Sequence, residues 1–277
     1  MMHLGLIGHP LGHSLSPKIH SAALNAYGLQ GEYSLFPIAP DDMQGLSNLL
    51  ARVRNGEIHG LNVTIPHKQN VIPLLDELTS TAQAIGAVNT ISLRDGKLVG
   101  DNTDAPGFLT DLGGLTGSLH DRKAARQTSE VSKALVLGAG GSARAVVYAL
   151  VHADWNVTLS ARRPEQAQAL ASNYQLPITN LTNPPTFNLL VNTTPLGMTP
   201  NVDASPWPEH LPFPKDAAVY DLVYNPRETK LVRDARAQGL PAKTGLGMLI
   251  EQAVLAFEIW TGRKPPREIL FDSVNGG

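Results

Sequence analysis

Apolar residues along this chain follow strand-like runs and helix-like spacings in alternation. Residues 3–8 are a short apolar run closed by Gly8 and Pro10, the pattern of a buried strand. Ser16-Pro17 follows, with serine as cap and proline in the first turn, and Ile19, Ala22, Ala23 and Ala26 then recur at helical spacing up to Gly28. Residues 32–38 read as a second strand, 43–53 as a helix capped by Asp41-Asp42, and 58–65 as a third strand. Two helical segments lead to residues 88–93 and 97–100, a hairpin across Arg94-Asp95-Gly96. A second series starts at Ala134, with strands at 134–137, 155–159, 187–191 and 217–222 and helices at 142–152 and 164–174. Residues 195–214 are rich in proline and read as irregular; helices are expected at 246–260 and 267–271. Such alternation predicts an α/β protein with mainly parallel sheets. Between the two series, residues 114–133 break the rhythm with glycines and a polar run and read as a linker. Two domains are therefore expected: 1–113, to which the helices of 246–277 return, and 114–245.

Composition narrows the function classes. The 277 residues carry 22 basic and 24 acidic side chains, a formal net charge of −2, which speaks against a nucleic-acid binder. With 42% hydrophobic and 17% charged residues, the composition argues against wholesale disorder, and no apolar run reaches the ~18 residues of a membrane span. Cysteine is absent, so thiol nucleophiles, disulfides and cysteine-ligated metals are excluded. The nine histidines form no paired metal motif, and no metal is expected. The first residues lack the basic start and cleavage site of a signal peptide, and a cytoplasmic protein is the expectation. Whether it works singly or as a homodimer stays open.

Residues 136–145 read Val-Leu-Gly-Ala-Gly-Gly-Ser-Ala-Arg-Ala, a strand, a glycine turn and a helix. Gly138, Gly140 and Ala143 fit G-x-G-x-x-A: a tight turn, a bare backbone face for a pyrophosphate, and close helix–sheet packing. The helix N-terminus adds free N–H groups for the anion. The alternative, a turn that merely joins two elements, fits this strand–helix context less well than a dinucleotide does. An NAD site ends the next strand with an acidic residue; here stand Ala161, Arg162 and Arg163, with no carboxylate before Glu165. Two guanidiniums suit a 2′-phosphate, so NADP is the expected cofactor.

In the first half, Ser14 and Ser16 lie at a predicted helix start, where hydroxyls and backbone N–H groups suit a small carboxylate. Simple capping would explain Ser16 but not Ser14. Residues 60–68, Gly-Leu-Asn-Val-Thr-Ile-Pro-His-Lys, end a buried-looking strand with polar side chains, the end of an α/β strand where ligands bind. Lys68 alone would be a surface lysine, and Asp101 or Asp104 alone a helix-start acid.

Together these segments resemble the shikimate dehydrogenase family over nearly the whole chain. The resemblance rests on Ser-Leu-Ser-Pro at 14–17, Asn-Val-Thr-Ile-Pro-His-Lys at 62–68, Ile-Gly-Ala-Val-Asn-Thr at 85–90 and Gly-Asp-Asn-Thr-Asp at 100–104. It continues through the glycine turn, Tyr-Asp-Leu-Val-Tyr-Asn-Pro at 220–226 and Gly-Leu-Gly-Met-Leu-Ile-Glu-Gln at 245–252. It implies a substrate domain followed by a Rossmann-like NADP domain. It also implies reversible NADPH-dependent reduction of 3-dehydroshikimate to shikimate, on the route to chorismate and the aromatic amino acids. By matching positions, Lys68 and Asp104 would be the catalytic pair, and Ser14, Ser16, Thr64, Asn89, Tyr224 and Gln252 would contact substrate. Gly138, Ala139, Gly140, Gly141 and Ser142 would hold the pyrophosphate, Ala161, Arg162 and Arg163 the adenosine phosphate, and Leu222, Gly245 and Met248 would lie near the nicotinamide. The family often has Asn-Arg-Thr where this chain has Ala161-Arg162-Arg163, so any contribution of Ala161 is through its backbone. Two other readings remain in play: a quinate/shikimate dehydrogenase of broader choice, and a non-catalytic NADP sensor.

Overall fold

The computed structural model describes residues 1–126 and 132–275. The chain divides into two compact units, residues 1–107 with 250–277, and residues 108–249.

The first unit is built around a six-stranded sheet. In chain order come β1 (Met2–Gly8), α1 (Ser16–Ala26), β2 (Gly31–Pro37), α2 (Met43–Arg54), β3 (Gly60–Val63), β4 (Glu77–Leu78), α3 (Ser80–Ile85), β5 (Thr90–Arg94), β6 (Lys97–Asp101) and α4 (Asp104–Arg126), which runs on into the second unit. The strand order is β2-β1-β3-β5-β6-β4. β1 pairs in parallel with β2 and β3, whereas β5 runs antiparallel to β3 and to β6. The β5–β6 hairpin turns through Asp95 and Gly96, both at positive φ. Its reversal matters for the site: the segment entering β5 and the segment leaving β6 lie at the same end of the sheet as the carboxyl ends of β1 and β3. One face of the sheet is closed by α2, whose Leu46, Leu50 and Val53 pack with Leu61, Val63 and Ile91.

The serine segment departs from expectation in one detail. Ser16 is the first residue of α1 and no side chain caps that helix from the N-cap position. Instead the Ser14 hydroxyl accepts from the Ser16 N–H at 3.2 Å. The Ser16 N–H, free at the helix start, thus finds its acceptor two residues back, and Pro17 in the first turn has no N–H to be satisfied.

The second unit is a five-stranded sheet in which every pairing is parallel. It contains β7 (Lys133–Leu137), α5 (Gly141–His152), β8 (Asn156–Ser160), α6 (Pro164–Ser172), β9 (Leu189–Asn192), β10 (Ala218–Asp221), α7 (Lys230–Ala237) and β11 (Ala242–Thr244), followed by α8 (Leu246–Thr261), which carries the chain back to the first unit, and α9 (Arg267–Asn275). The order β11-β10-β9-β7-β8 reverses at β7, a topological switch point that opens a crevice beyond the carboxyl ends of β7 and β9. Its core gathers Leu135, Leu190 and Val219 with Leu231 and Val232 of α7 and the Trp207 ring.

Residues 114–126 are helix rather than linker, and 127–131 of that stretch lie outside the described residues. Phe108, Leu112 and Leu115 sit four and three residues apart and are buried, an apolar stripe that the neighbouring glycines hide from a count of helix formers.

Candidate active site

The carboxyl end of β3 leads through Thr64 to Lys68. The segment is pinned at both ends: the Thr64 N–H donates to Ile7 O at 2.8 Å, and the Val88 N–H donates to Lys68 O at 2.8 Å. Between them His67, fully buried, bonds Ile38 O through Nε2 at 2.7 Å. Lys68 is thereby turned inward, and its Nζ donates to Asp104 Oδ2. The side chains are 10% and 7% exposed, so the ion pair is almost out of water.

Asp104 is the first residue of α4, where the helix dipole favours a carboxylate. Asn102 caps that helix, its Oδ1 accepting from the Asp104 and Ala105 N–H groups at 3.1 and 3.2 Å, while its Nδ2 donates to Ala87 O at 2.9 Å. Asn89, just before β5, is the hub. Its Nδ2 lies 3.0 Å from Asp104 Oδ1, 2.9 Å from Thr103 Oγ1 and 3.3 Å from Gln252 Oε1, and its Oδ1 accepts from the Thr103 N–H at 2.7 Å. Gln252 reaches the group from α8, whose approach is set by two glycines. A Cβ on Gly107 would stand 2.8 Å from the Gln252 nitrogen, and one on Gly60 would stand 2.3 Å from the Trp260 ring. The Trp260 indole N–H also donates to Ile91 O at 3.0 Å.

Four residues singled out in the sequence, Lys68, Asn89, Asp104 and Gln252, thus form one hydrogen-bonded, buried group. Ser14 and Thr64 belong to the adjacent loops after β1 and β3. The His9 N–H donates to Ile65 O at 2.9 Å between those loops, and a Cβ on Gly8 would meet the Thr64 side chain at 2.4 Å. Tyr224 belongs to the second unit; it is half-buried, and burial pushes its phenol above the usual range. Asn62 was not picked out as a site residue. Its Oδ1 accepts from the Tyr33 hydroxyl at 2.8 Å and its Nδ2 donates to Asn89 O at 3.2 Å, so it supports the hub from beneath. An asparagine inside a buried strand was the available signal, because such a side chain must be hydrogen-bonded. Behind it His20 is fully buried and stacks on Tyr33 at 4.4 Å; burial pulls its imidazole down to about 3, with Asn62 opposing.

In the second unit the glycine turn spans β7 and α5. Gly138 has φ +115°, and a Cβ there would stand 2.4 Å from Thr193 Oγ1, so both conformation and space demand glycine. Nothing lies within 4 Å of a Cβ on Gly140, which leaves its backbone face open. No side chain caps α5. Ala161 follows β8 half-buried, and Arg162 and Arg163 are exposed. Gly245 lies against Leu222, whose carbonyl oxygen would be 2.3 Å from a Cβ, and Met248 is buried one turn into α8. A bare turn, an uncapped helix start and two outward arginines fit a phosphorylated dinucleotide. Among the described residues no cluster of metal-ligating side chains exists, and no helix is long and apolar enough to cross a membrane.

Residues 6–91 match the model of the shikimate dehydrogenase substrate binding domain, and residues 245–270 that of the shikimate 5′-dehydrogenase C-terminal domain. The chain is 42% identical to the shikimate dehydrogenase (NADP(+)) of Salinibacter ruber over 283 residues, spanning 97% of this chain and 95% of that one. The chain belongs to the shikimate dehydrogenase family. Among solved family structures, one of Thermus thermophilus in complex with NADP(H) and shikimate is 40% identical with a TM-score of 0.84, covering 99% of this chain and 98% of its own. Another shikimate dehydrogenase in complex with NADP+ is 36% identical with a TM-score of 0.88, covering 99% of this chain and 94% of its own.

Proposed function

We infer that this chain is a shikimate dehydrogenase that reduces 3-dehydroshikimate reversibly with NADPH. The observation that carries the reading is the nearly buried Lys68–Asp104 pair held in the Asn89 and Gln252 network. The unit of residues 1–107 with 250–277 is the substrate part, and that of residues 108–249 the NADP part. The residues of the second unit fit the cofactor: Gly138, Ala139, Gly140, Gly141 and Ser142 take the pyrophosphate, Arg162 and Arg163 with the Ala161 backbone the 2′-phosphate, and Leu222, Gly245 and Met248 the nicotinamide end.

NADPH, when bound, supplies the hydride for the substrate carbonyl carbon. The carbonyl oxygen then needs a proton, and Lys68 donates it; in the oxidative direction the same amine takes the proton from the hydroxyl. Asp104 holds the ammonium in place and accepts from a neighbouring substrate hydroxyl. Asn89 and Gln252 bind the remaining polar groups of the ring. Ser14, Ser16 and Thr64 bind the carboxylate, aided by the α1 N-terminus. Exclusion of water around Lys68 strengthens each of these contacts.

The deciding experiment mixes the purified chain with shikimate and NADP+ and follows NADPH by absorbance. Shikimate-dependent NADPH formation is expected. Binding of NADPH with no turnover would make the chain a sensor instead. Comparing kcat/KM for shikimate and quinate, each with NADP+ and NAD+, measures its breadth of choice; shikimate with NADP+ is expected to be preferred.

A further inference from the structure

Asp221, the last residue of β10, is a carboxylate with no exposed surface, and the proton-transfer scheme has no use for it. It lies at the carboxyl end of the all-parallel sheet, on the side of the switch point away from the glycine turn and the arginines. Three segments converge on it. Asn192, ending β9, donates through Nδ2 to Oδ1 at 2.8 Å; the Val223 N–H donates to the same oxygen at 3.1 Å; and the Thr229 hydroxyl, which caps α7, donates to Oδ2 at 2.7 Å. Asn192 passes the constraint on, its Oδ1 accepting from the Thr194 N–H at 2.9 Å and from the Thr194 hydroxyl at 2.7 Å. The Val223 carbonyl in turn accepts from the Gly245 N–H at 3.2 Å. One side chain therefore fixes the loops after β9 and β10 and the approach of Gly245.

We propose that Asp221 is a positioning residue for the nicotinamide half of the cofactor, holding in register the loops after β9 and β10 against which that half binds. A dinucleotide lies across the switch point of such a sheet, so its adenosine half belongs to β7 and β8 and its other half to β9, β10 and β11. Burial pushes the Asp221 carboxyl up to about 6, while its hydrogen bonds oppose the shift. No neutral side chain can accept from all three donors with both oxygens, since an amide must turn an N–H toward one of them. The proposal rests on the reading that the second unit takes NADP.

The test compares the full-length chain with Asp221→Asn and Thr229→Val, titrating each by calorimetry with NADP+ and with adenosine 2′,5′-bisphosphate, which lacks the nicotinamide. The expected result is unchanged affinity for the bisphosphate and an affinity for NADP+ about tenfold weaker, the size of one lost directed hydrogen bond. Thr229→Ser restores NADP+ affinity, and steady-state assays show KM for NADP+ raised. Equal losses for both ligands, or unchanged affinity for both, in variants that melt cooperatively would overturn the proposal. Thr229→Val carries the test alone where Asp221→Asn does not fold. Failure of the unaltered chain to bind NADP+ would instead sink the functional reading on which the proposal stands.

Discussion

Lys68 and Asp104 are paired where water scarcely reaches, so removing one strands the other's charge. Asp104 keeps one further donor in Asn89 Nδ2, which lets the carboxylate hold its place when the ammonium is gone. Lys68→Ala is therefore expected to leave a folded enzyme with KM for shikimate little changed and kcat lower by about 10²–10⁴, the range of a lost general acid. Steady-state kinetics with circular dichroism on the same sample check this, and near-normal turnover would remove Lys68 from the chemistry. Gln252 Oε1 accepts from the same Asn89 Nδ2 that serves Asp104. On the proposed function, truncation of Gln252 to alanine removes a binding contact and no proton carrier. KM for shikimate is expected to rise about tenfold with kcat holding, and an unchanged KM would take Gln252 out of the pocket. These residues were legible through the resemblance of their segments to the family, since Lys68 read alone is a surface lysine and Asp104 a helix-start acid. Asp221 lies within the Tyr-Asp-Leu-Val-Tyr-Asn-Pro segment but was not singled out, because an acid at a strand end carries no period and the three donors that converge on it come from separate segments.

At the scale of elements, the turn between β7 and α5 is the most constrained piece of backbone. Gly138 combines a left-handed φ with a neighbour that leaves no room for a methyl group. Gly138→Ala is expected to destabilise the chain by about 1–3 kcal/mol and to abolish NADP+ binding. Urea unfolding and a cofactor titration would detect both, and an alanine variant that binds normally would show that the turn has slack. The alternation of strands and helices was readable because parallel sheets need a crossover after each strand. Short pieces escaped. β4 has two residues and β11 three, too few for any period. α7 buries Leu231, Val232 and Ala235 among charged neighbours, within only two turns. The start of α4 was read correctly, but the glycines of its middle argued for a break that tertiary packing of Phe108, Leu112 and Leu115 overrode.

Across the whole molecule, the two units carry buried titratable groups that pull in opposite directions with pH. His20 is neutral in the folded first unit, with a pKa of about 3 against 6.5 unfolded. Its contribution is fully present above pH 6.5 and is lost as pH falls, about 2 kcal/mol between pH 7 and 5. Asp221 has its folded pKa raised to about 6, so over the same interval acid favours the folded second unit, by about 1 kcal/mol. Amide hydrogen exchange at pH 7 and 5, corrected for the intrinsic rate, is expected to show faster opening in residues 1–107 and no loss of protection in 108–249. His20→Phe should flatten the first response; the same acid sensitivity in that variant would assign it elsewhere. Arg162 and Arg163 contrast with these groups, for they stand in solvent at the end of β8. Side chains that support no packing can be exchanged without weakening the scaffold. With the 2′-phosphate on these arginines, as proposed, a lineage drifts between nicotinamide carriers by editing this corner alone, and preference for the phosphorylated carrier becomes a trait that selection tunes independently of folding.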